Sequence, residues 1–503
     1  MYKSVIFLGI CLLATVPHVK GGETVSLPNV SSAFATPEQA ELGRFLGKAL
    51  FWDVQVGSGN GAQMACASCH YQAGADSHPA RIEAGTMNPG DPGHSGSPNI
   101  IRGSLGVQSA DFIAIAVSSN ADGGEIGEAC EEFTVTGDFF ITGANAPSSI
   151  NSDSIHNFWD GRANNTFNGF DISGVPTPLP SEDGTAIVQI DNASQASQAV
   201  GPVLSTVEMH ANGRTFAEVG FKMCCVKPLA MQHGDIVDQL GPYGVPGGYV
   251  KLINDVFRDG PLEKFLGDVE VADDIRVCVD GNPTPEVRKA KRTECNFALF
   301  FGVAVAAYEQ SLVTKPKKRP SKKQKRAFKE MRCDKCHFND GRSHAVIGDV
   351  GNRPFEATGV EPLATGLGVT VEALHLGSPT PNDEADPNEG QFKSTHLFNL
   401  PLTAPYFHDG SAATLEDMLA FYVRGGDFNE DNRNSHVRRL DASKKEQKRV
   451  LKMLKNLTDP RIARGEYPFG HPSLSIPLGD GRTLELHPSG EGNGGLDYEI
   501  ASP

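Results

Sequence analysis

The sequence predicts a mainly α-helical protein of two domains, with loop and short β insertions in the first domain. The chain has 503 residues, which is more than one hydrophobic core usually accommodates. The motif C-x-x-C-H occurs once in each half, at Cys66 and at Cys333. Helical periodicity is strong in TPEQAELGRFLGKALFWD (36–53), TFAEVGFKM (215–223) and NFALFFGVAVAAYEQSLV (296–313).

Residues 1–22 are predicted to be a signal peptide. One lysine precedes an apolar run of about a dozen residues, which is too short to span a bilayer. No clear cleavage site follows, so an uncleaved anchor stays open as the alternative. No later segment approaches the length of a membrane span, and we expect a soluble mature chain in an oxidising compartment, most simply a bacterial periplasm.

The two domains are predicted at residues 36–313 and 314–470, followed by a tail at 471–503 of short strands or disorder. Between Gly74 and Phe140 the chain is rich in Gly, Pro, Ser and Asp, which predicts an elaborated loop region with short β runs. The basic stretch Lys315–Arg326 separates the domains and is interpreted as a solvated linker followed by a helix capped at Ser321. A docking patch for an acidic redox partner is the alternative.

The formal net charge of −16 argues against a nucleic-acid partner.

The two C-x-x-C-H motifs carry the strongest chemical signal. This spacing lets two thiols add to the two vinyl groups of a haem and places the next imidazole below the iron. A zinc site would need ligands from motifs 267 residues apart, and a thioredoxin-like pair would not require the histidines. The sequence therefore predicts two covalently bound c-type haems in two cytochrome c-like domains. Their ligands are Cys66, Cys69 and His70 in the first motif, and Cys333, Cys336 and His337 in the second.

Five further cysteines follow the signal peptide, and an odd number leaves one thiol unpaired in an exported chain. Cys278 and Cys295 bracket a polar loop with Pro and Gly, and we expect a disulfide between them. A pairing of Cys130 with Cys224 or Cys225 is the weaker expectation.

Several segments, in the same order from about Glu38 to Gly426, resemble the bacterial dihaem cytochrome c peroxidases and their relatives of the MauG type. The segments are LGKALFWD (46–53), NAP (145–147), FWDGRA (158–163), QAVGPVLSTVEM (198–209) and LTAPYFHDGSAATLEDM (402–418). The resemblance implies that hydrogen peroxide reacts at the His70 haem, with Glu208 as the acid/base, Gln198 lining the pocket and Pro202 nearby. Proton transfer by a carboxylate is what heterolytic peroxide cleavage requires.

The resemblance also implies roles for residues between the haems. Trp159 matches the residue that relays oxidising equivalents from one haem to the other. Asn145, Thr403 and Pro405 match side-chain and carbonyl ligands of a calcium ion, a hard cation that prefers oxygen.

Two departures from the family pattern stand out. No histidine shortly precedes the NAP segment, and His78 and His94 lie far upstream, so the simpler expectation is a permanently five-coordinate first haem. Phe398 stands where the family usually has arginine.

Tyr422 is predicted to be the distal ligand of the His337 haem. A helix from Thr414 to Gly425 places Leu415, Met418, Leu419 and Tyr422 on one face, which by pattern alone is a core face. The resemblance changes this interpretation, because Tyr422 lies 14 residues after His408, where the peroxidases carry methionine and the MauG type carries tyrosine. Met418 is one turn too early but remains the alternative.

These observations predict a periplasmic dihaem peroxidase, MauG-like with a His/Tyr second haem. Its partners are hydrogen peroxide and a protein: a small cytochrome c, a cupredoxin or a protein substrate. One alternative is a cytochrome c peroxidase that takes electrons from a small cytochrome c or cupredoxin. The alternative of another class is a dihaem electron carrier without catalytic activity.

Overall fold

The computed structural model describes most of the chain between Glu23 and Ala501. The described residues are 23–58, 64–76, 103–119, 126–142, 144–152, 157–159, 161–279, 284–338, 340, 355–357, 391–408, 410, 412–426, 436–478, 482–489 and 498–501. The predicted signal peptide, His78 and His94 lie outside these ranges.

The described helices and strands are as follows. The helices are α1 (Pro37–Trp52), α2 (Ala67–His70), α3 (Ser194–Val203), α4 (Phe216–Cys225), α5 (Asp235–Asp238), α6 (Gly248–Phe257), α7 (Arg292–Cys295), α8 (Phe297–Ser311), α9 (Lys322–Glu330), α10 (Leu415–Arg424), α11 (Lys444–Asn456) and α12 (Pro460–Ala463). The strands are β1 (Glu23–Leu27), β2 (Leu105–Ser119), β3 (Ile126–Ile141), β4 (Pro178–Ser181), β5 (Gly184–Ile190), β6 (Glu270–Val279), β7 (Glu286–Lys291), β8 (Phe355–Ala357), β9 (Gln391–Lys393), β10 (Leu474–Pro477), β11 (Thr483–Leu486) and β12 (Tyr498–Ala501). None of the described helices combines the length and apolarity needed to cross a membrane.

Two compact units divide the chain, and both are discontinuous in sequence. The first comprises residues 1–66, 107–140 and 165–308, and the second comprises 67–106, 141–164 and 309–503. The junction after Tyr308 lies close to the predicted boundary at 313. Two earlier segments, however, group with the C-terminal part of the chain, because residues 141–151 hydrogen-bond to residues of the second unit such as Gly74 and Thr314.

The first unit is built around α8, whose residues from Phe297 to Tyr308 are all buried. A helix that is apolar all round belongs in a core. Helix α1 crosses it at Gly47, where an added Cβ would lie 1.8 Å from the Ala304 carbonyl oxygen. The predicted helical segments thus form α1, α4 and α8, with Thr36 and Thr215 as N-caps of the first two.

The sheets of the first unit are more extensive than the sequence predicted. Strands β2 and β3 have 15 and 16 residues, within the region that was expected to be mainly loop. They belong to a four-stranded sheet of order β3-β2-β6-β7, in which Ile115 of β2 pairs in parallel with Val277 of β6. A second sheet has the order β1-β5-β4. The expectation of only short β insertions was therefore wrong, because the hydrogen-bonding partner of β2 is far away in sequence.

The predicted disulfide between Cys278 and Cys295 is not formed. The residues between them make the hairpin β6–β7, in which Ile275 pairs with Arg288. Cys278 pairs with Ala116 in the sheet, and the Cys295 thiol donates a hydrogen bond of 2.9 Å to Asp273. Cys224 and Cys225 are also thiols, and the side chain of Cys130 lies outside the described part of the structure.

The second unit packs α9, α10 and α11 around one apolar cluster. Ser321 caps α9 as predicted, and Thr414 and Gly425 bound α10 as predicted. Strands β8 and β9 pair with each other, and the C-terminal tail forms the antiparallel sheet β10-β11-β12. The apolar cluster contains Ala327, Phe328, Met331, Tyr406, Ala412, Leu415, Leu419, Val450, Met453, Leu454 and Leu457.

A buried carboxylate, that of Asp53, lies directly after the C-terminal end of α1. Asp53 is fully buried and accepts hydrogen bonds from the Leu229 amide at 2.7 Å, the Tyr249 hydroxyl at 2.8 Å and the Gln55 amide at 2.9 Å. Burial raises the pKa of Asp53, and these donors oppose the rise. The carboxylate thus ties the end of α1 to α6 and to the segment after α4.

We predict that Asp53→Ala lowers the free energy of unfolding by about 3 kcal/mol, because several buried donors lose their acceptor. Tyr249→Phe should cost about 1 kcal/mol, since it removes one hydrogen bond. Urea unfolding monitored by far-ultraviolet circular dichroism measures both. Asp268→Ala, at an exposed acid, is the control. Equal stabilities of the Asp53 and Asp268 variants would contradict the prediction.

Candidate functional site

The first C-x-x-C-H motif ends in α2, a single turn with His70 as its last residue. The His70 ring is half-buried, and its Nδ1 lies 2.7 Å from the Gly74 carbonyl oxygen. Because a carbonyl only accepts hydrogen bonds, Nδ1 donates to Gly74, and the ring also forms a hydrogen bond with the backbone of Pro147. Burial lowers the pKa of His70, which favours the neutral ring. A neutral imidazole that is oriented by backbone carbonyl groups is suited to bind a metal ion.

Gly74 supports this motif through its backbone. Its φ of +79° lies in the left-handed region that favours glycine. Its carbonyl accepts the Ser149 amide at 2.9 Å as well as the His70 ring. An added Cβ would lie 2.7 Å from Ser149 Oγ and 2.8 Å from Ser149 N. Glycine is therefore needed for the close approach of the segment that contains Ser149.

The second C-x-x-C-H motif forms a 3-10 turn over Cys333–Lys335, three residues after α9 ends. The His337 amide donates to the Cys333 carbonyl at 3.0 Å, which closes the turn around the motif. Arg332 has a φ of +61°, and its Nη2 donates to His436 Nδ1 at 2.9 Å. The motif is thus connected directly to α9, and the preceding residue Arg332 links it to the segment that contains His436.

The donor set of both motifs fits a covalently bound haem. Cys66, Cys69, Cys333 and Cys336 are all thiols without a disulfide. Burial raises the pKa of Cys333 to about 12, so this thiol stays protonated at neutral pH. Two thiols and an adjacent histidine are the groups that attach a haem and supply its proximal nitrogen.

Trp159 is held by backbone groups on two sides. Its Nε1 donates to the Asn145 carbonyl at 2.8 Å, and its own carbonyl accepts the Lys393 amide at 2.8 Å. The ring is half-buried and lies edge-on to His408, with 6.4 Å between the ring centroids. These contacts restrain the tryptophan in one orientation.

A buried acid and a lysine lie in the same unit as Trp159. Burial raises the pKa of Glu309 to about 8, and Ser152 Oγ donates to its carboxyl group at 3.3 Å. Burial lowers the pKa of Lys393 to about 8, and its Nζ donates to Asn157 Oδ1 at 3.2 Å. Burial thus disfavours the charged form of both groups, and the opposite charge of each partner partly offsets the shift of the other.

Glu208 and Gln198 lie in the first unit, whereas His70, Trp159 and the second motif lie in the second. Gln198 is half-buried on α3, which ends just after Pro202. Glu208 is half-buried in the following turn, where its amide donates to the Ser205 carbonyl at 3.1 Å. The residues on both sides of Glu208 also form backbone hydrogen bonds. The Val207 carbonyl accepts one from the Val107 amide, and the Met209 carbonyl accepts one from the Ser58 amide.

A buried histidine next to Glu208 was not singled out from the sequence. His210 Nε2 accepts the Arg214 amide at 3.1 Å. Burial, with Arg214 and Arg276 nearby, lowers the pKa of His210 to about 2. It is therefore neutral and contributes no charge close to Glu208 at neutral pH.

Tyr422 and Met418 are both half-buried on α10 but pack in different clusters. Met418 packs against the apolar cluster of the second unit, as does Cys333. Tyr422 packs against Phe421 and Val437, with ring centroids 5.1 Å from Phe421 and 6.1 Å from Phe407. The predicted common face thus divides at its C-terminal end, where Phe421 rather than Tyr422 is the fully buried residue.

Two of the three predicted calcium ligands come together near Gly410. An added Cβ at Gly410 would lie 3.1 Å from Pro405 Cγ and 3.8 Å from Asn145 Cβ. Asn145 is buried, and its Nδ2 donates to the Asp76 carbonyl at 3.4 Å, which leaves Oδ1 as the atom suited to a cation. Thr403 ends the neighbouring 3-10 turn.

Sequence reasoning missed three other residues of this region. They are Gly74, His396 and His436. His396 Nε2 donates to the Ile150 carbonyl at 2.7 Å, and burial lowers the pKa of His396 to about 4. Phe398, which stands where the family usually has arginine, lies beside His396 with tilted rings and 5.7 Å between the ring centroids. Only Gly74 had a local signal, since it is a glycine four positions after the motif histidine.

Comparison with known proteins gives one family and several similar structures. The family model for di-haem cytochrome c peroxidase matches residues 42–223. The cytochrome-c peroxidase IdrP2 of Pseudomonas sp. (strain SCT) is 38% identical over 81 residues, which are 16% of this chain and 20% of that protein. The chain therefore matches about a fifth of that relative's length.

Two solved structures show lower similarity. A MauG-like protein associated with microbial copper homeostasis is 17% identical, with a TM-score of 0.43 and coverage of 88% of this chain and 95% of that one. The diheme peroxidase BthA from Burkholderia thailandensis is 17% identical, with a TM-score of 0.40 and coverage of 85% and 87%. Both TM-scores are too low to establish a common fold. The match over residues 42–223, which contain the first motif, Trp159, Gln198 and Glu208, shows that this part of the chain is similar to the di-haem cytochrome c peroxidase family.

Proposed function

We propose that this chain is a dihaem peroxidase that acts on hydrogen peroxide at a haem bound by His70 and shares oxidising equivalents with a haem bound by His337. The observation that carries the proposal is the C-x-x-C-H motif that ends at His70 within the matched region, where the ring is oriented by the Gly74 carbonyl through Nδ1. Cys66, Cys69, Cys333 and Cys336 would form the thioether bonds. A bound haem supplies an iron centre that exchanges electrons with peroxide.

Glu208 has the role of proton carrier in this proposal. Its carboxylate takes the proton from one peroxide oxygen and delivers it to the other as the O–O bond breaks. The restrained turn around it supports the assignment, because a general acid/base has to keep its geometry. Gln198 is proposed to line the same pocket.

Trp159 is proposed to carry oxidising equivalents between the two haems. Its fixed indole supports this, because a side chain in one orientation needs little reorganisation when its charge changes. Asn145, Thr403 and Pro405 are proposed to bind calcium through oxygen atoms.

The second haem is proposed to have Tyr422 as its distal ligand, which places the protein on the MauG-like branch with a protein side chain as substrate. A hard phenolate favours ferric and higher states of iron. The alternative with Met418 favours a small cytochrome c or cupredoxin as the electron donor.

We also propose that the protein is exported to the periplasm, because an apolar run follows a lysine near the N-terminus.

A spectrum of the resting protein titrated with stoichiometric peroxide tests the function as a whole. A rapid spectral change is expected for a peroxidase, since the proposed first haem would offer a site for peroxide. No reaction at either haem would favour the non-catalytic electron carrier.

We predict that Gly74→Ala changes the spectrum of the His70 haem, because the added Cβ pushes the Ser149 segment away and removes a support of the Gly74 carbonyl. Gly213→Ala is the matched control. Gly213 also has a positive φ, of +88°, but nothing lies within 4 Å of an added Cβ. Both variants should lose about 1 kcal/mol of stability from backbone strain. Only Gly74→Ala should alter the ferric electron paramagnetic resonance (EPR) signal, and an unchanged signal would contradict the orienting role.

We predict that Glu208→Gln keeps both haems and loses peroxide reactivity by about 10²- to 10⁴-fold, the usual contribution of a positioned acid/base. Stopped-flow spectra with peroxide measure the rate. Glu263→Gln, at an exposed acid, is the control. A near-normal rate in the Glu208 variant would remove this residue from the mechanism.

We predict that Tyr422→Phe abolishes the low-spin ferric EPR signal of the second haem, whereas Met418→Leu leaves it unchanged. The reason is that phenylalanine offers no ligand atom. The reverse pattern would make Met418 the ligand and would favour the cytochrome donor over the MauG-like branch.

A further inference from the structure

The second unit has a basic groove whose two sides come from distant parts of the sequence. The groove has a volume of about 810 Å³ and runs between α9 with its preceding linker and α11. Lys318, Arg319 and Lys323 line one side, and Lys444, Lys448 and Lys452 line the other. These six residues define the basic groove.

The charge of the basic groove is not neutralised locally. All six side chains are exposed, and within the described ranges none of them forms an ion pair. The acids beside them are engaged elsewhere, since Glu330 pairs with Arg326 and Glu446 caps α11 through Ser443. The chain as a whole has a net charge of −16. An anionic molecule is therefore repelled by much of the surface and attracted to this groove.

The helices that form the groove also hold the second C-x-x-C-H motif. Helix α9 ends three residues before Cys333, and it packs against α11. Phe328 of α9 and Met453 of α11 share one apolar cluster, against which Cys333 also packs. A partner bound in the groove would thus lie against the elements that position the proposed second haem.

We infer that the basic groove is the docking site of an acidic protein that exchanges electrons with the proposed His337 haem. The inference rests on the proposed function and adds the chemistry of the partner. The shape favours a protein over an anionic membrane, because a projecting loop or helix fits between two helices whereas a flat lipid surface does not. Lysine side chains on a rim mainly accelerate association and orient the partner.

The test uses the haem-loaded protein and a charge-reversal variant of one face of α11. Lys444→Glu/Lys448→Glu/Lys452→Glu changes three residues that are spaced by four and therefore lie on one face. The matched control is Lys322→Glu/Lys325→Glu/Lys329→Glu, which makes the same charge change at exposed positions of α9 that do not line the groove. Circular dichroism confirms that both variants are folded.

Binding is measured first, without peroxide, by calorimetry with an oxidised acidic c-type cytochrome as the probe. A basic c-type cytochrome and vesicles of anionic lipid are run in parallel. We expect the acidic cytochrome to bind the unaltered protein and the control variant, and its Kd to rise about tenfold or more in the groove variant. Tighter binding of the basic cytochrome, or binding of vesicles alone, would overturn the inference.

Turnover is measured second, as peroxide-dependent oxidation of the reduced acidic cytochrome at low salt. The second-order rate constant should fall about 10- to 10³-fold in the groove variant. Raising the ionic strength to 0.15 M, where the Debye length is about 8 Å, should slow the unaltered protein and hardly affect the variant. Equal rates in the groove and control variants would overturn the inference.

Oxidation of guaiacol, a small neutral donor, separates the two proposals. If guaiacol is oxidised with peroxide but the groove variant binds and oxidises the acidic cytochrome as well as the control variant does, the docking site is wrong and the peroxidase function stands. If guaiacol is not oxidised but the acidic cytochrome binds in the groove, the peroxidase function is wrong and the docking site stands.

Discussion

The Gly74 carbonyl oxygen is the contact on which the geometry of the first motif depends. It accepts hydrogen bonds from the His70 ring and the Ser149 amide together, so one atom links the orientation of the ring to the segment that contains Ser149. Such a double acceptor requires close approach of two chain segments, and only a residue without Cβ allows it at a φ of +79°. The local chemistry of the motif is thereby coupled to a segment about 75 positions later.

Residues 145–151 extend this coupling through main-chain atoms. The Asn145 carbonyl holds Trp159, its amide donates to the His408 carbonyl, and the Ile150 carbonyl accepts His396. Because backbone groups make these bonds, changes of side chain within the segment should matter less than insertions that shift its register. The elements that carry the proposed relay thus depend on the path of one extended segment more than on its particular side chains.

Charge is distributed in opposite ways inside and outside the second unit. Inside the unit, burial disfavours the charged forms of Glu309, Lys393 and His396. On the outside, lysines and arginines from α9 and α11 accumulate at one groove of an otherwise acidic chain. Water screens the exposed charges, so their effect is on encounter and orientation, whereas the buried groups act at short range.

The sequence by itself determined the features whose physics is local. Thiols and imidazole within five residues define the haem motifs, and the caps at Ser321, Thr414 and Gly425 bound their helices because capping groups act within one turn. Tertiary structure alone decided the pairing of β2 with β6 and the separation of Cys278 from Cys295. It also decided the double role of Gly74 and the meeting of Lys323 with Lys448 at one groove. These features join residues far apart in the chain, and only packing of the whole chain selects which distant segments meet.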